Sequence, residues 1–444
     1  MSTVVDEVSV DPATARVYAE GWQSWSPATW YSAGATGQAP QEDWQHQMRF
    51  RPGTPVAPTG LQGEGLLVVE PGDGGQTRLY ATTEPTRVPT LRAELVDGSI
   101  LVTTTGPVET RTSDDGGEAA LAAYGDEIGG GALAAPPRVW CSWYRYFEEV
   151  TAADVLENLR DFDRHDLSID VVQIDDGWSL GLGEGLAASD RFGSLEALVD
   201  TIRETGRRAG IWLAPFTVGT STSLAREHPD WLVGRAGRNW GQDLAGLDLT
   251  HPAVRELLTG HLERLVAIGV DYLKLDFLYA GAAPGRRHGD ADGAAAYRSG
   301  LALVREVVGP DVYLVGCGAP LLPSVGLVNA MRVSPDTFHE GGEDGSTGLR
   351  GLMALAARAW QQGRLWVNDP DCVVVRPSYS QRERWAAVAR RYGGLRSFSD
   401  RVADLDQWGL DTVRDLLADG GTADPLPTGD VSAASAVALA EASA

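Results

Sequence analysis

The sequence predicts a (β/α)8 TIM barrel, an α/β fold, carrying a small N-terminal antiparallel β domain. Three observations predict it. From Val139 onward, apolar strand-like runs alternate with segments of helical length, and eight such units fill about 260 residues, the size of one closed barrel. Before that point the chain is rich in Gly, Pro and Thr and holds only short β-like runs; "GGGALAAPP" (129–137) separates the two regions. The strand ends are polar while the strand bodies are apolar, as a barrel with a site on one face requires.

Taken in order, residues 1–135 contain "GEGLLVVE", "TRLYATT" and "GSILVTTT", with turn residues between them, and read as antiparallel β structure. The barrel is assigned to 136–418. Strand Val139–Phe147 leads to helix Ala153–Arg164, whose start carries the capping sequence Thr151-Ala152-Ala153-Asp154. Strand Val171–Trp178 leads to helix Leu195–Ala209. Strand Gly210–Phe216 leads to helix Pro252–Ile268, opened by Thr250-His251-Pro252 with proline in the first turn. Strands Tyr272–Phe277, Val312–Gly318, Ala330–Thr337, Leu365–Asp371 and Gly393–Asp400 follow, with helices Ala294–Val308, 348–362, Ser380–Arg391 and Leu405–Ala418. Right-handed crossovers make the strands parallel, so their C-terminal ends face one way. Residues 419–444 are rich in Ala and Ser and read as a loose tail.

Composition narrows the function. The 444 residues suffice for a barrel and an accessory domain, and 43% hydrophobic content supports a real core. A net charge of -24 argues against nucleic acid or an anionic membrane as partner. Cys141, Cys317 and Cys372 make no disulfide framework. The start "MSTVVDEVSVDP" lacks a basic segment followed by an apolar one, and no run approaches the ~18 apolar residues of a membrane helix. The reading is a soluble, cytoplasmic protein.

The chemistry collects at the strand ends: "WCSWYRYF", "QIDDGW", "GIWLAPF", "YLKLDF", "GCGAP", "MRVSPDT" and "WVNDPD". Carboxylates and tryptophans converging on one mouth suggest a sugar site, because carboxylates bind hydroxyls and indoles stack on the C–H faces of a pyranose. Lys274 is the only lysine in the chain. It lies two residues before Asp276, so both project from one strand face. A compact ammonium donates three hydrogen bonds where a guanidinium fork would not fit, and it is expected to hold Asp276 ionised. Plainer readings stand beside these. Asp175-Asp176-Gly177 could be a turn, Lys274 and Asp276 a structural salt bridge, and Asp336 a helix cap. Arg332 could be an ion-pair partner, Cys317 a small buried hydrophobe, and Trp143 and Trp212 core aromatics. No His or Cys cluster with metal-ligand spacing lies near.

The motifs "WCSWYRYFEEV", "VQIDDGW", "GIWLAPF", "YLKLDFLYAGAAPG", "GCGAPLLPSVGLVNAMRVSPDT" and "WVNDPDC", in this order, resemble the α-galactosidases of glycoside hydrolase family 36, especially the compact bacterial type. "GWQSWSP" at 21–27 resembles the N-terminal β domain of that family, which reaches the pocket. The resemblance implies Asp276 as nucleophile and Asp336 as general acid/base. It implies Asp175 and Asp176 on the O4 and O6 hydroxyls, and Lys274 and Arg332 on further hydroxyls. Trp212 and Trp143 would wall the sugar, with Trp25 from the β domain, and Cys317 would border it. A retaining glycosidase needs two carboxyls about 5–5.5 Å apart and neither metal nor organic cofactor. On this reading Lys274 lowers the pKa of Asp276. The substrate is a galactose-terminated oligosaccharide. The chain departs from the family in its short N-terminal region and in the few residues that follow the last helix. An α-N-acetylgalactosaminidase or a galactosyltransferase of the raffinose-synthase type would use the same two acids, and a sugar-binding protein without catalysis would keep the pocket. A phosphate-handling barrel is disfavoured, because "NDPDC" stands where an anion loop would be.

Overall fold

The computed structural model describes residues 2–40, 42–183, 185–239, 241–337 and 349–426. Eight parallel strands form one sheet in the order β7-β6-β5-β4-β3-β2-β1-β8. They are β1 Arg138–Cys141, β2 Val171–Ile174, β3 Arg208–Leu213, β4 Val270–Leu275, β5 Tyr313–Gly316, β6 Ala330–Arg332, β7 Val367–Asp369 and β8 Arg396–Phe398. The two end strands meet. The Gly394 and Leu395 N–H groups donate to Asn368 O at 2.8 and 3.0 Å, and Val373 N–H to Ser397 O at 3.0 Å. The sheet therefore closes into the predicted barrel.

Val139, Val171, Tyr272, Tyr313, Val315, Ala330, Val367 and Leu395 form one apolar cluster inside it. The rings of Tyr272 and Tyr313 stack there at 5.7 Å. β3 contributes Gly210 at this level, where a Cβ would lie 2.9 Å from Tyr272 and 3.0 Å from Val171. Two residues further along several strands, on the same inward face, the chain turns polar: Cys141, Gln173, Lys274, Arg332 and Asp369 are all buried there. The barrel is thus plugged at one end and polar at the other.

The surrounding helices are α1 Ala152–Arg164, α2 Leu195–Glu204, α3 Pro252–Ala267, α4 Gly293–Val308, α5 Leu321–Ser324, α6 Leu349–Ala357, α7 Arg382–Tyr392 and α8 Gln407–Ala418. The Thr151 and Asp154 side chains make a capping box at α1, and the His251 imidazole accepts from Ala253 N–H at α3 with Pro252 in the first turn.

Strands are shorter than their apolar runs. β1 stops at Cys141 and a helical turn, Trp143–Tyr146, follows; β2 stops at Ile174 and β6 at Arg332. Past the last ladder bond the chain curls over the mouth, so side chains there are no longer bound to strand alternation. Helix α2 ends at Glu204 because Gly206 takes φ +82° and β3 begins at Arg208. The fifth crossover holds only the short α5, where Pro320 and Pro323 oppose a longer helix.

An antiparallel sheet of three strands, Thr217–Gly219, Leu232–Asn239 and Gln242–Leu247, lies between β3 and α3 and was not anticipated. Its middle segment "LVGRAGRN" has no apolar alternation. Of the tail, residues 419–426 are described and are tied down: the Gln362 side-chain amide donates to Thr422 O at 2.8 Å and Asp424 O at 3.1 Å. The rest of the tail, and residue 348 of the predicted helix 348–362, lie outside the described residues.

The N-terminal region is two antiparallel sheets, one of four strands and one of five. Strand alternation gives the five-stranded sheet two apolar faces. Val17, Leu67, Val69 and Tyr80 meet Leu61, Leu91, Ile100 and Val102 of the other sheet. Tyr18, Leu66, Val68, Leu79 and Ala81 join the cluster that wraps the barrel. The helix Gly117–Ile128 was also not anticipated; its Tyr124 ring packs near Trp360 at 6.1 Å.

A fully buried ion pair crosses this interface. Arg358 Nη2 lies 2.9 Å from Glu20 Oε1, and the two side chains are 0% and 2% exposed. Arg358→Met alone leaves a buried carboxylate without its cation. It is expected to destabilise the chain by about 3–5 kcal/mol, read as a lower urea midpoint.

Candidate functional site

At the polar end of the barrel, β2, β4, β6 and β7 deliver the charged groups, and β3 and β5 bring Trp212 and Cys317. Lys274 Nζ donates to Asp175 Oδ2 at 2.9 Å, and the Gln173 side-chain amide donates to the same oxygen at 2.6 Å. Gln173 and Asp175 share a face by the two-residue period, as Lys274 and Asp276 do. Asp175 N–H donates to Ser142 Oγ at 2.9 Å. Both Asp175 and Asp176 are buried, because β2 has already ended when the chain reaches them. Asp176 Oδ1 accepts from Gly177 N–H at 2.8 Å.

Asp276 Oδ2 accepts from the Trp212 indole N–H at 3.0 Å, and Oδ1 from Phe277 N–H at 2.8 Å. Trp178 braces that indole ring by donating from Nε1 to Trp212 O at 2.9 Å. Phe277 holds φ +50°, a left-handed conformation that costs a non-glycine residue about 1–3 kcal/mol and is concentrated at functional sites.

The partner of the single lysine is therefore Asp175, and the expected Lys274–Asp276 contact becomes a through-space attraction. Burial raises the Asp276 pKa; the Lys274 charge and the hydrogen bonds from Trp212 and Cys317 pull it down, and the Asp336 charge pushes it up. Lys274 lowers this carboxyl as the sequence suggests, and desolvation outweighs it, so the net shift is upward.

Asp336 follows β6 and is 53% exposed. Arg332 Nη2 donates to Asp336 Oδ1 at 2.9 Å and lies 3.0 Å from Asp371 Oδ2. The Cys317 thiol is fully buried, with its pKa raised by burial first and then by the Asp276 charge, and it feels Arg332, Lys274 and Asp336 as well. Asp175, Asp276, Lys274, Arg332, Cys317 and Asp336 thus share one electrostatic neighbourhood. Trp25 joins them from the N-terminal region: its ring meets Phe277 edge-on at 5.4 Å and packs in one cluster with Trp212. Trp143 sits apart from this network, in the turn after β1, against Phe147 at 5.2 Å. Arg332 Nε and Trp25 Nε1 are buried donors with no partner among the described residues, a condition that favours a polar ligand.

Three further residues complete the site and were not singled out from the sequence. Asp371 Oδ2 accepts from Thr337 N–H at 3.0 Å, Thr337 Oγ1 at 2.8 Å and the Tyr144 hydroxyl. Thr337 is the neighbour of Asp336, so Asp371 and Arg332 anchor that segment from both sides. Asp369 is buried, which raises its pKa to about 6. Gln173 was findable: it lies two residues before Asp175, an acid already in view, and its side-chain amide donates to that carboxylate. Among the described residues no group of three or more His, Cys, Asp or Glu could hold a metal ion, and no helix is long and apolar enough to cross a membrane.

Asp176 carries a testable cost. Burial raises its pKa to about 7, and the charges of Asp175, Glu148 and Asp276 add to the shift. A carboxyl raised on folding stabilises the chain fully below the unfolded pKa, near 4, and that contribution is lost as pH rises through about 7. Asp176→Asn is therefore expected to stabilise the ligand-free chain at pH 8 by about 1–3 kcal/mol and to have almost no effect at pH 4. Thermal unfolding at the two pH values checks this. Asp369 contributes with the same sign up to about pH 6.

The Melibiase family model matches residues 137–308. An α-galactosidase from Thermus thermophilus, solved with p-nitrophenyl α-D-galactopyranoside, is 30% identical with a TM-score of 0.80; the alignment covers 94% of this chain and 89% of that one. The same enzyme solved with stachyose gives 30% identity and a TM-score of 0.80 over 94% and 93% of the two chains. The family 36 α-galactosidase AgaA from Geobacillus stearothermophilus shares the fold at 14% identity, TM-score 0.66, over 94% of this chain and 62% of that one. Among curated proteins, α-galactosidase C of Emericella nidulans is 32% identical over 132 residues, 25% of this chain. The bifunctional α-galactosidase/sucrose kinase of Mediterraneibacter gnavus is 27% identical over 146 residues, 30% of this chain. The matched segment spans only 18% and 15% of those two proteins.

Proposed function

The chain belongs to the α-galactosidases of glycoside hydrolase family 36, and we propose that it is a retaining, exo-acting member that removes terminal α-linked galactose from oligosaccharides. The observation that carries the proposal is the shared field of Asp276 and Asp336 around the buried Cys317 thiol, at the mouth of a barrel plugged below. A pocket with one opening suits the end of a sugar chain. Stachyose and the nitrophenyl galactoside held by the Thermus enzyme fit that substrate class.

In the proposed double displacement, the Asp276 carboxylate attacks the anomeric carbon while Asp336 gives its proton to the departing glycosidic oxygen. The sugar is then an ester on Asp276 with inverted configuration. Asp336, now a carboxylate, takes a proton from water as that water attacks the same carbon, and Asp276 leaves. Two inversions give retention. Asp175, Asp176 and Lys274 bind ring hydroxyls, and Trp212, with Trp25, walls the apolar sugar face. Arg332 holds Asp336 in register and keeps its Nε free for a hydroxyl. The proton path is open, since half of Asp336 faces solvent. Three unpaired, buried cysteines suit a reducing cytoplasm.

Rates on nitrophenyl α-galactoside and on its N-acetyl counterpart test the reading. The first is expected to be cleaved at least 10-fold faster, with α-galactose as the first product seen by NMR. Failure to cleave either, or β-galactose as first product, overturns it.

A further inference from the structure

We propose that Arg358 is a positioning residue for the reaction: with Glu20 it fixes the Gly21–Pro27 loop and the end of β6 into one rim, so that Trp25 and Asp336 are held relative to each other. The inference rests on the reading of the site given above.

All five N–H donors of the guanidinium are used. Nη1 donates to Ser24 O at 2.7 Å and Val333 O at 2.9 Å, Nη2 to Ser26 O at 3.0 Å and Gln23 O at 3.3 Å, and Nε to Glu20 Oε1 at 2.9 Å. Three of these acceptors are carbonyls of the loop that carries Trp25. A fourth, Val333 O, lies just past β6, three residues before Asp336. One rigid, planar cation therefore spans two backbone segments more than 300 positions apart in the chain. A lysine, with three donors around a point charge, cannot reach all of them.

Glu20 completes the clamp. Its Oε1 also accepts from Gly21 N–H at 2.9 Å, and its Oε2 accepts from the Tyr18 hydroxyl at 2.6 Å and the Gln361 amide at 2.9 Å. On its far side the loop pairs with the end of β5, where Ser24 N–H donates to Ala319 O at 3.0 Å. Gly318 lies under the Trp25 ring: it holds φ +54°, and a Cβ there would come 3.0 Å from the indole. The loop is thus gripped by backbone hydrogen bonds at β5 and by a single side chain at β6. Trp25 itself keeps an indole N–H with no partner among the described residues.

The test uses the full chain and pairs each change so that no carboxylate is left stranded. Glu20→Gln with Arg358→Met removes both charges; Arg358→Lys keeps the cation and loses the fork. Each is measured alone and combined with Trp25→Ala, for kcat and KM on nitrophenyl α-galactoside. The expected result is at least a 10-fold loss in kcat/KM for the paired variant, with a smaller loss for Arg358→Lys. Adding Trp25→Ala to the paired variant should cost less than a further 2-fold, because the tryptophan is already misplaced. Wild-type kcat and KM in a folded paired variant, or losses that multiply with Trp25→Ala, overturn the proposal. A second readout needs no activity. In chain labelled with 5-fluorotryptophan, the Trp25 resonance, assigned by its loss in Trp25→Phe, is expected to shift or broaden in the paired variant and in Arg358→Lys. An unchanged resonance in both overturns the positioning role even if the wild type hydrolyses nothing, whereas a moved resonance in an inactive wild type faults the functional reading alone.

Discussion

Asp276→Asn is expected to lower kcat on nitrophenyl α-galactoside by at least about 10⁴-fold while leaving the chain folded. The amide is nearly isosteric with the carboxyl. Its oxygen can still accept from Trp212 Nε1 or from Phe277 N–H, which now donate to Asp276. What disappears is the electron pair that would bond to the anomeric carbon. Burial already raises the pKa of this carboxyl, so the neutral side chain relieves a desolvation penalty, and the melting temperature at pH 7 should not fall. The same direction predicts an acid limb of kcat/KM shifted upward from that of an unperturbed aspartate, since Asp276 must be ionised in the free enzyme to attack. Asp276→Gly with added azide provides the positive control. The space vacated admits the anion, which attacks from the nucleophile's side and should yield β-galactosyl azide in a single inversion. Undiminished turnover by Asp276→Asn, measured in a preparation free of contaminating galactosidase, would remove the residue from the mechanism.

How much of this could be read from the residues follows from the range over which each pattern acts. The barrel was legible because strand and helix periodicities are local, and eight repeats of the same alternation reinforce one another. The groups on β4 were legible by the same logic, since residues two apart must share a face. What failed was the pairing across strands. Lys274 and Asp276 are neighbours on one strand, yet the ammonium reaches over to Asp175 on β2, 99 positions away, and only the closed sheet shows that β3 between them leaves the way clear. The balance of burial against charge at Asp276 was hidden for a related reason: desolvation depends on everything packed around a group, whereas an attracting neighbour can be named from sequence. Arg358 left no local signal at all. It sits at the end of an ordinary amphipathic helix, and its five acceptors belong to residues that become its neighbours only after the N-terminal sheets dock. The inserted sheet after β3 was missed because alternating Gly and Arg give no apolar period to detect.

Asp336→Asn is expected to separate substrates by the quality of their leaving groups. A sugar alkoxide leaves slowly unless it is protonated as the bond breaks, and a general acid supplies about 10²–10⁴-fold. A nitrophenolate leaves unaided. The variant should therefore lose about 10²–10⁴-fold in kcat/KM on raffinose and much less on nitrophenyl α-galactoside. On the activated substrate the slow step should shift to hydrolysis of the ester on Asp276, because no base remains to activate water. A burst of nitrophenolate, equal to the enzyme concentration, would report that accumulation. Added azide, which needs no base, should then restore turnover and give α-galactosyl azide, the opposite anomer to that from Asp276→Gly. The fold should tolerate the change: Asp336 is half exposed, and Arg332 keeps Asp371 as its buried anion at 3.0 Å. The two anomers together form the decisive pair, because one side chain acting as nucleophile and the other as acid/base on the same carbon is the arrangement that produces opposite azides from the two deletions. Equal losses on raffinose and on the nitrophenyl substrate, with no burst, would mean that Asp336 shapes the pocket without moving a proton.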